Sequence, residues 1–221
     1  MNSRALLATI LLSVLRLAAA EPCTPPQQVT EATPQQVSRF FASKHWRVVT
    51  FFGYSGAGYE EAAAMLQQAS AILDKYDPKR TIVNVGATAD GIGAVYDLAK
   101  RKGFRTAGIV STQAREQGVP LSSCVDFVFY VKDSSWGGYL PGTTSLSPTS
   151  TAMVATGNVL IAIGGGDVAR DELLAAKRRG RRVTFIPADM NHQIARDKAA
   201  SKGLPEPTDF RGSAHPALSH Y

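Results

Sequence analysis

Three glycine-rich stretches and one acidic residue carry most of the chemistry open to this sequence. Gly53-Tyr54-Ser55-Gly56-Ala57-Gly58, Gly86-Ala87-Thr88-Ala89-Asp90-Gly91-Ile92-Gly93 and Gly164-Gly165-Gly166-Asp167 each follow a short apolar run and precede helix-forming residues. At such turns the first N–H groups of a helix are unpaired and partly positive, and residues without a Cβ let phosphate oxygens approach them. The candidate ligand- and phosphate-binding positions are therefore Gly53, Ser55, Gly56, Gly86, Gly91, Gly93, Gly164, Gly165, Gly166 and Asp167. Glycine also serves any turn that needs a positive φ, so one turn alone says little; three in equivalent places point to a phosphate-type site. Glu172 is the candidate catalytic group, since a carboxyl can stabilise an oxocarbenium-like transition state or activate water. Asp167 and Asp171 lie near it, where the helix dipole by itself favours acidic side chains. Ser55 and Ser134 offer hydroxyls to a phosphate, while Trp136 or Tyr139 offers a ring to stack on a base or to close a core or dimer interface. His45, His192, His215 and His220 are scattered. None is placed to activate a serine, and no Cys/His spacing suits a metal.

Positioning these turns requires an alternation of strands and helices, and the sequence supplies one. Apolar runs predict strands at 47–52, 81–85, 106–110, 125–131, 159–163 and 183–186. Between them, helical spacing predicts helices at 34–43, 59–76, from Gly93 to about 102, from Ser147 or Pro148, about 171–179 and 191–201. Residues 133–150, rich in Gly, Ser, Thr and Pro, read as a long loop. Continuous apolar strands separated by helices indicate an α/β fold: a Rossmann-like three-layer sandwich with a mostly parallel sheet of about six strands. In such sheets ligands bind beyond the carboxyl ends of the strands, where all three glycine turns would lie.

Two of these segments resemble a known family. Asn84 to Ala99 (NVGATADGIGAVYDLA) is similar to the G-x-x-x-x-G-x-M-G-A-V segment of the lonely-guy proteins, often labelled lysine decarboxylase-like, and Ile161 to Leu173 (IAIGGGDVARDEL) is similar to their P-G-G-x-G-T-x-x-E segment. The resemblance covers about residues 46–200. It implies a modified Rossmann fold of a nucleotide-sensing superfamily, a homodimer, and a nucleoside monophosphate or derivative as ligand. Some members cleave the N-glycosidic bond of cytokinin ribotides. Carried over, Gly165 and Gly166 match the phosphate-binding glycines, Gly91 and Gly93 the second motif, and Glu172 the catalytic glutamate. Gly164, Val168 and Ala169 stand where the family has proline, glycine and threonine, and residues 143–158 hold no arginine for its catalytic arginine. The reading is thus a binder of a nucleotide or phosphorylated nucleotide derivative, with a nucleotide N-glycosidase acting through Glu172 as the alternative.

The N-terminus reads as an export signal. Arg4 precedes the apolar run Ala5–Leu15, and Ala18-Ala19-Ala20 suits cleavage before Glu21. The run is too short for the ~20 residues of a membrane-spanning helix. The expected organisation is a signal peptide over 1–20, a linker over 21–33, one nucleotide-binding domain over 34–202 and an irregular tail over 203–221, with the mature protein periplasmic or secreted and without a stable membrane span. In an oxidising compartment the pair Cys23 and Cys124 invites a disulfide. The formal charge of +6 includes Arg4 and Arg16 of the leader. Much of the rest lies in Lys100-Arg101-Lys102 and Lys177–Arg182, near the C-termini of expected helices, where cations meet the dipole; a nucleic-acid partner is not expected. No cofactor is implied. The G-Y-S-G-A-G turn departs from the dinucleotide fingerprint, and Asn84 offers no carboxylate to a ribose.

Overall fold

The computed structural model describes Cys23, Pro26 and residues 28–219; the proposed leader lies outside the described residues. Seven strands form one sheet: β1 (Gln28–Glu31), β2 (Arg47–Gly53), β3 (Thr81–Val85), β4 (Arg105–Ser111), β5 (Phe127–Val131), β6 (Val159–Ile163) and β7 (Val183–Ile186). Their order is β1-β5-β4-β3-β2-β6-β7 and every pairing is parallel. The helices are α1 (Pro34–Lys44), α2 (Ala62–Leu73), α3 (Ala94–Arg101), α4 (Gln113–Glu116), α5 (Pro148–Thr156), α6 (Asp167–Arg178), α7 (His192–Ser201) and α8 (Ala214–Leu218). This is the α/β Rossmann-like fold expected from the sequence, with one strand more than counted there.

Strand residues alternate between two cores because successive side chains point to opposite faces. Val49 and Phe51 of β2, Val83 and Val85 of β3, and Ile161 and Ile163 of β6 enter the core that also holds Met65 and Leu73 of α2 and Val95 and Tyr96 of α3. Val48, Phe52, Ile82, Leu160 and Ala162 face the opposite core with Phe41 of α1, Met153 of α5, Leu173 of α6 and Leu218 of α8. Both faces are covered, so the strands read as unbroken apolar runs rather than as alternations. From β2 the chain steps outward through β3, β4 and β5, and α5 then returns it to the other side of β2 as β6. The reversal between β2 and β6 is where open α/β sheets leave a crevice.

Local signals account for the helix starts. Thr33 caps α1, its side chain accepting from Gln36 N while the Gln36 side chain accepts from Thr33 N, and Pro34 fills the first helical position. Ser147 caps α5 by accepting from Ser150 N, with Pro148 at the start of the helix.

Four stretches differ from expectation: α4 is not among the expected helices, α6 begins at Asp167 rather than near 171, and the expected linker and tail each contain an element. Part of the expected linker is β1, an edge strand held by β5 on one side. It escapes notice because an edge strand needs only backbone partners and can keep a polar sequence such as QVTE. A disulfide joins Cys23 to Cys124, Cα to Cα 4.7 Å, and ties the segment before β1 to the approach to β5. The expected irregular tail contains α8, whose Ala214 and Leu218 are buried. Five residues are too few for helical periodicity to declare itself.

Candidate ligand-binding cleft

A cleft of about 390 Å³ opens at the carboxyl ends of β2, β3 and β4, within the size range of small-molecule sites. Phe52, Gly53, Ser55 and Gly56 line it from β2 and its turn, and Val85, Gly86, Thr88 and Asp90 from β3 and its turn. The β4 side gives Ile109, Val110 and Ser111; α5 gives Thr149 and Met153; α6 gives Val168, Ala169 and Glu172. Trp136, from the long loop after β5, stands at the edge. The lining is largely apolar, and neither lysine nor arginine belongs to it.

The predicted glycines divide into two groups. Gly56 and Gly86 line the cleft with nothing within 4 Å of where a Cβ would sit, so backbone there is open to a ligand. Gly53 also lines it, but a Cβ would fall 2.0 Å from Tyr59 Oη. That hydroxyl donates to Ile163 O at 2.7 Å and accepts from Tyr54 N, locking the turn to the end of β6. Gly91 and Gly93 do not line the cleft; they let the second turn press on the first. Gly91 has φ +59°, and a Cβ on it would lie 2.3 Å from Tyr54 O, while one on Gly93 would lie 2.1 Å from Thr88 O.

The triple glycine also stands off the cleft, and the C-terminal segment covers its first two members, Gly164 and Gly165. A Cβ on Gly164 would meet the Tyr54 ring at 2.4 Å, Gly165 O accepts from Ala214 N, and Tyr54 Oη donates to Arg211 O at 2.6 Å. Gly166 caps the N-terminus of α6 and is open without lining the cleft, and Asp167 is exposed and paired with Arg170. Of the predicted positions the cleft thus brings together Gly53, Ser55, Gly56, Gly86 and Glu172, and leaves out Gly91, Gly93, Gly164, Gly165, Gly166 and Asp167.

Glu172 is 4% exposed and lies on the cleft wall, its Oε1 accepting from Ser150 Oγ at 2.7 Å. Burial pushes its pKa up to about 8, against the smaller lowering effect of the Ser150 hydroxyl. At neutral pH it is therefore an uncharged acid that can donate a proton. Its neighbour Asp171 is committed elsewhere: one carboxylate oxygen accepts from Tyr139 N and the other pairs with Arg170.

The loop after β5 is tied down by acidic and hydroxyl side chains that sequence patterns did not single out. Asp133 accepts from Ser135 N and Ser135 Oγ on one oxygen and from Thr149 N at 2.9 Å on the other. Burial raises its pKa, but these hydrogen bonds together hold it below the ordinary value. Asp133 thereby places a carboxylate at the N-terminus of α5, a favourable end for negative charge. Ser150 Oγ accepts from Gly138 N while donating to Glu172. Trp136 is left at the cleft, whereas Tyr139 turns away and meets Arg178. Only the excess of Ser, Thr and Gly over 133–150 hinted at this network.

Among the described residues one group of three side chains could hold a metal, Cys23, Asp97 and Cys124, but its two sulfurs are bonded to each other. No described helix is long and apolar enough to cross a membrane.

No family model and no curated protein matches the chain. Solved structures similar to it include the molybdenum cofactor carrier protein from Chlamydomonas reinhardtii, 17% identical with a TM-score of 0.47 over 63% of this chain and 76% of that one. The molybdenum cofactor binding protein from the phototrophic bacterium Rippkaea orientalis is 15% identical, with a TM-score of 0.47 over 63% and 76%. The protein TM1055 is 20% identical, with a TM-score of 0.44 over 62% and 72%. At these identities the likeness is one of fold.

Proposed function

We propose that the cleft binds a nucleoside monophosphate or a closely related phosphorylated nucleotide derivative. The observation that carries this reading is the cleft itself: an apolar slot at the carboxyl ends of β2, β3 and β4, with open backbone at Gly56 and Gly86 and an aromatic ring, Trp136, at its edge. The resemblance of 84–99 and 161–173 to the lonely-guy motifs supports it from the sequence side. Charge narrows the ligand. The ionisable side chains lining the cleft are Asp90 and Glu172, with no cation to offset a second or third phosphate charge. Lys198, whose Nζ donates to Gly56 O at 2.8 Å, brings one positive charge to the first turn. One phosphate at this turn, held by backbone N–H groups, is what such a site can balance.

A second reading follows from the state of Glu172. A buried, protonated carboxyl on the wall of a nucleotide cleft suits a general acid. In that reading Glu172 gives its proton to the departing base as the N-glycosidic bond breaks. Water adds to the ribose anomeric carbon and returns a proton to the carboxylate, so the products are free base and ribose 5-phosphate.

The protein acts outside the cytoplasm in this proposal, periplasmic or secreted and paired as a homodimer. The leader sequence and the Cys23–Cys124 bond support export, because disulfides persist in oxidising compartments. The test is titration of residues 21–221 with nucleoside mono-, di- and triphosphates, followed by calorimetry and by chromatography for released base. Tighter binding of monophosphates than of triphosphates is expected. Absence of binding by every nucleotide sinks the proposal, and binding without release of base removes the second reading alone.

A further inference from the structure

Four buried side-chain atoms among the described residues have no hydrogen-bond partner: Asn84 Oδ1, Thr149 Oγ1, Ser213 Oγ and His215 Nδ1. Of these residues Thr149 alone lines the cleft. Its position is fixed, since it is 5% exposed, occupies the first turn of α5, and gives its backbone N–H to Asp133. It also adjoins the acid, because the next residue, Ser150, holds Glu172. A buried hydroxyl without a partner is destabilising, and valine would fill nearly the same volume without that cost. Such a group at a ligand cleft is explained when the ligand supplies the missing partner.

We propose that Thr149 and Glu172 form a subsite that reads the hydrogen-bonding edge of a heterocyclic base, while the phosphate stays at the open turn around Gly56. This rests on the nucleotide reading above. Rotation about the Thr149 Cα–Cβ bond re-aims the hydroxyl, which can then donate to or accept from a ring atom. The carboxyl of Glu172, with Oε1 already accepting from Ser150, supplies a second group beside it. The surrounding walls, Val85, Ile109 and Met153, suit a planar apolar face and offer nothing to a phosphate.

The test compares Thr149→Val and Thr149→Ser with the unaltered protein, by thermal unfolding without ligand and by calorimetry with the adenosine, guanosine, cytidine and uridine 5′-monophosphates. In the free protein Thr149→Val should raise Tm by about 2–4 °C, because the unpaired hydroxyl is gone. It should weaken the preferred monophosphate by about tenfold and narrow the preference among the four, and Thr149→Ser should keep both. If the unaltered protein binds a monophosphate and Thr149→Val binds it equally well, the subsite is refuted while the nucleotide reading stands. Equal weakening of all four by Thr149→Val, or a fall in Tm of the free variant, refutes it as well. No binding of any of the four by the unaltered protein overturns both.

Discussion

Glu172→Gln tests the electrostatics of the cleft without any ligand. In the unfolded chain this carboxyl titrates near its ordinary value of 4.5, and in the fold burial pushes it up to about 8. Below pH 4.5 both states are protonated and the residue costs nothing. As pH rises the unfolded chain releases the proton while the folded protein retains it, so stability is lost at about 1.4 kcal/mol per pH unit. The loss levels off once pH passes about 8, and over the whole interval it amounts to roughly 5 kcal/mol. Glutamine keeps the shape and can still accept from Ser150 Oγ, but does not titrate. Its stability relative to the unaltered protein should therefore grow steadily from pH 4.5 to 8, reaching roughly 3 kcal/mol above its acidic value at pH 7. Urea unfolding followed by circular dichroism at a series of pH values gives this difference directly. What matters is the slope, since any fixed packing change between Glu and Gln shifts the curve without tilting it. A difference flat to within ~0.5 kcal/mol from pH 5 to 8 would show that Glu172 titrates alike in both states. The protonated acid would then be refuted, and with it the general-acid reading.

The two groups of glycines should respond in opposite ways. Gly91→Ala adds a Cβ at φ +59° and 2.3 Å from Tyr54 O, so unfolding should become easier by roughly 2–5 kcal/mol. Gly56→Ala meets open space; its stability should stay within ~0.5 kcal/mol while affinity for a nucleoside monophosphate falls, and calorimetry with unfolding curves separates the two effects. Replacing both Cys23 and Cys124 by Ser opens a loop with a sequence separation of 101, and on the chain-entropy account should cost about 4–5 kcal/mol in denaturant unfolding; a cost under 1 kcal/mol would contradict that account. Ending the chain at residue 208 removes the buried Leu218 and Ala214 and the Arg211 carbonyl bonded to Tyr54. It should lower stability by roughly 3 kcal/mol, read from the urea midpoint.

What was legible in the sequence follows from burial. Strands such as VVTFF and VLIAI are covered on both faces, so they must be continuously apolar, and β3, β6 and β7 fall where the apolar runs place them. Helices α1 and α5 announce their starts through a Thr or Ser cap followed by Pro. Segments whose placement depends on partners far along the chain stayed hidden. β1 is polar and is defined by its backbone bonds to β5, and α8 by the face it buries on α6. The same rule governs the site. Glu172 was visible as an acid a few residues into a helix, but its protonated state depends on closure of the cleft around it. Thr149 looked like one more hydroxyl in a Ser- and Thr-rich loop, and only the pairing of its neighbours leaves it distinct.

The glycines show most sharply why composition cannot rank candidate positions. A glycine is retained wherever a Cβ would collide, and collision with a phosphate leaves the same mark in a sequence as collision with the protein's own backbone. At Gly91, Gly93, Gly164 and Gly165 the colliding atoms belong to Tyr54, Thr88, Ala169 and their neighbours. These glycines therefore hold the first and second turns, β6 and the C-terminal segment in one rigid block. Gly56 and Gly86 have no such neighbour and line the cleft, beside the tightly packed Gly53. Most of the tight glycines fix the geometry, and Gly56 and Gly86 are left free to meet a ligand. Tyr54, under the C-terminal segment, closes Gly164 and Ala169 closes Gly165 from within the fold, whereas Gly56 in the first turn and Gly166 in the third stay open, and of these two Gly56 lines the cleft. Gly56→Ala beside Gly166→Ala compares the first turn with the third, since only a ligand at the first turn makes Gly56→Ala costly to binding at unchanged stability.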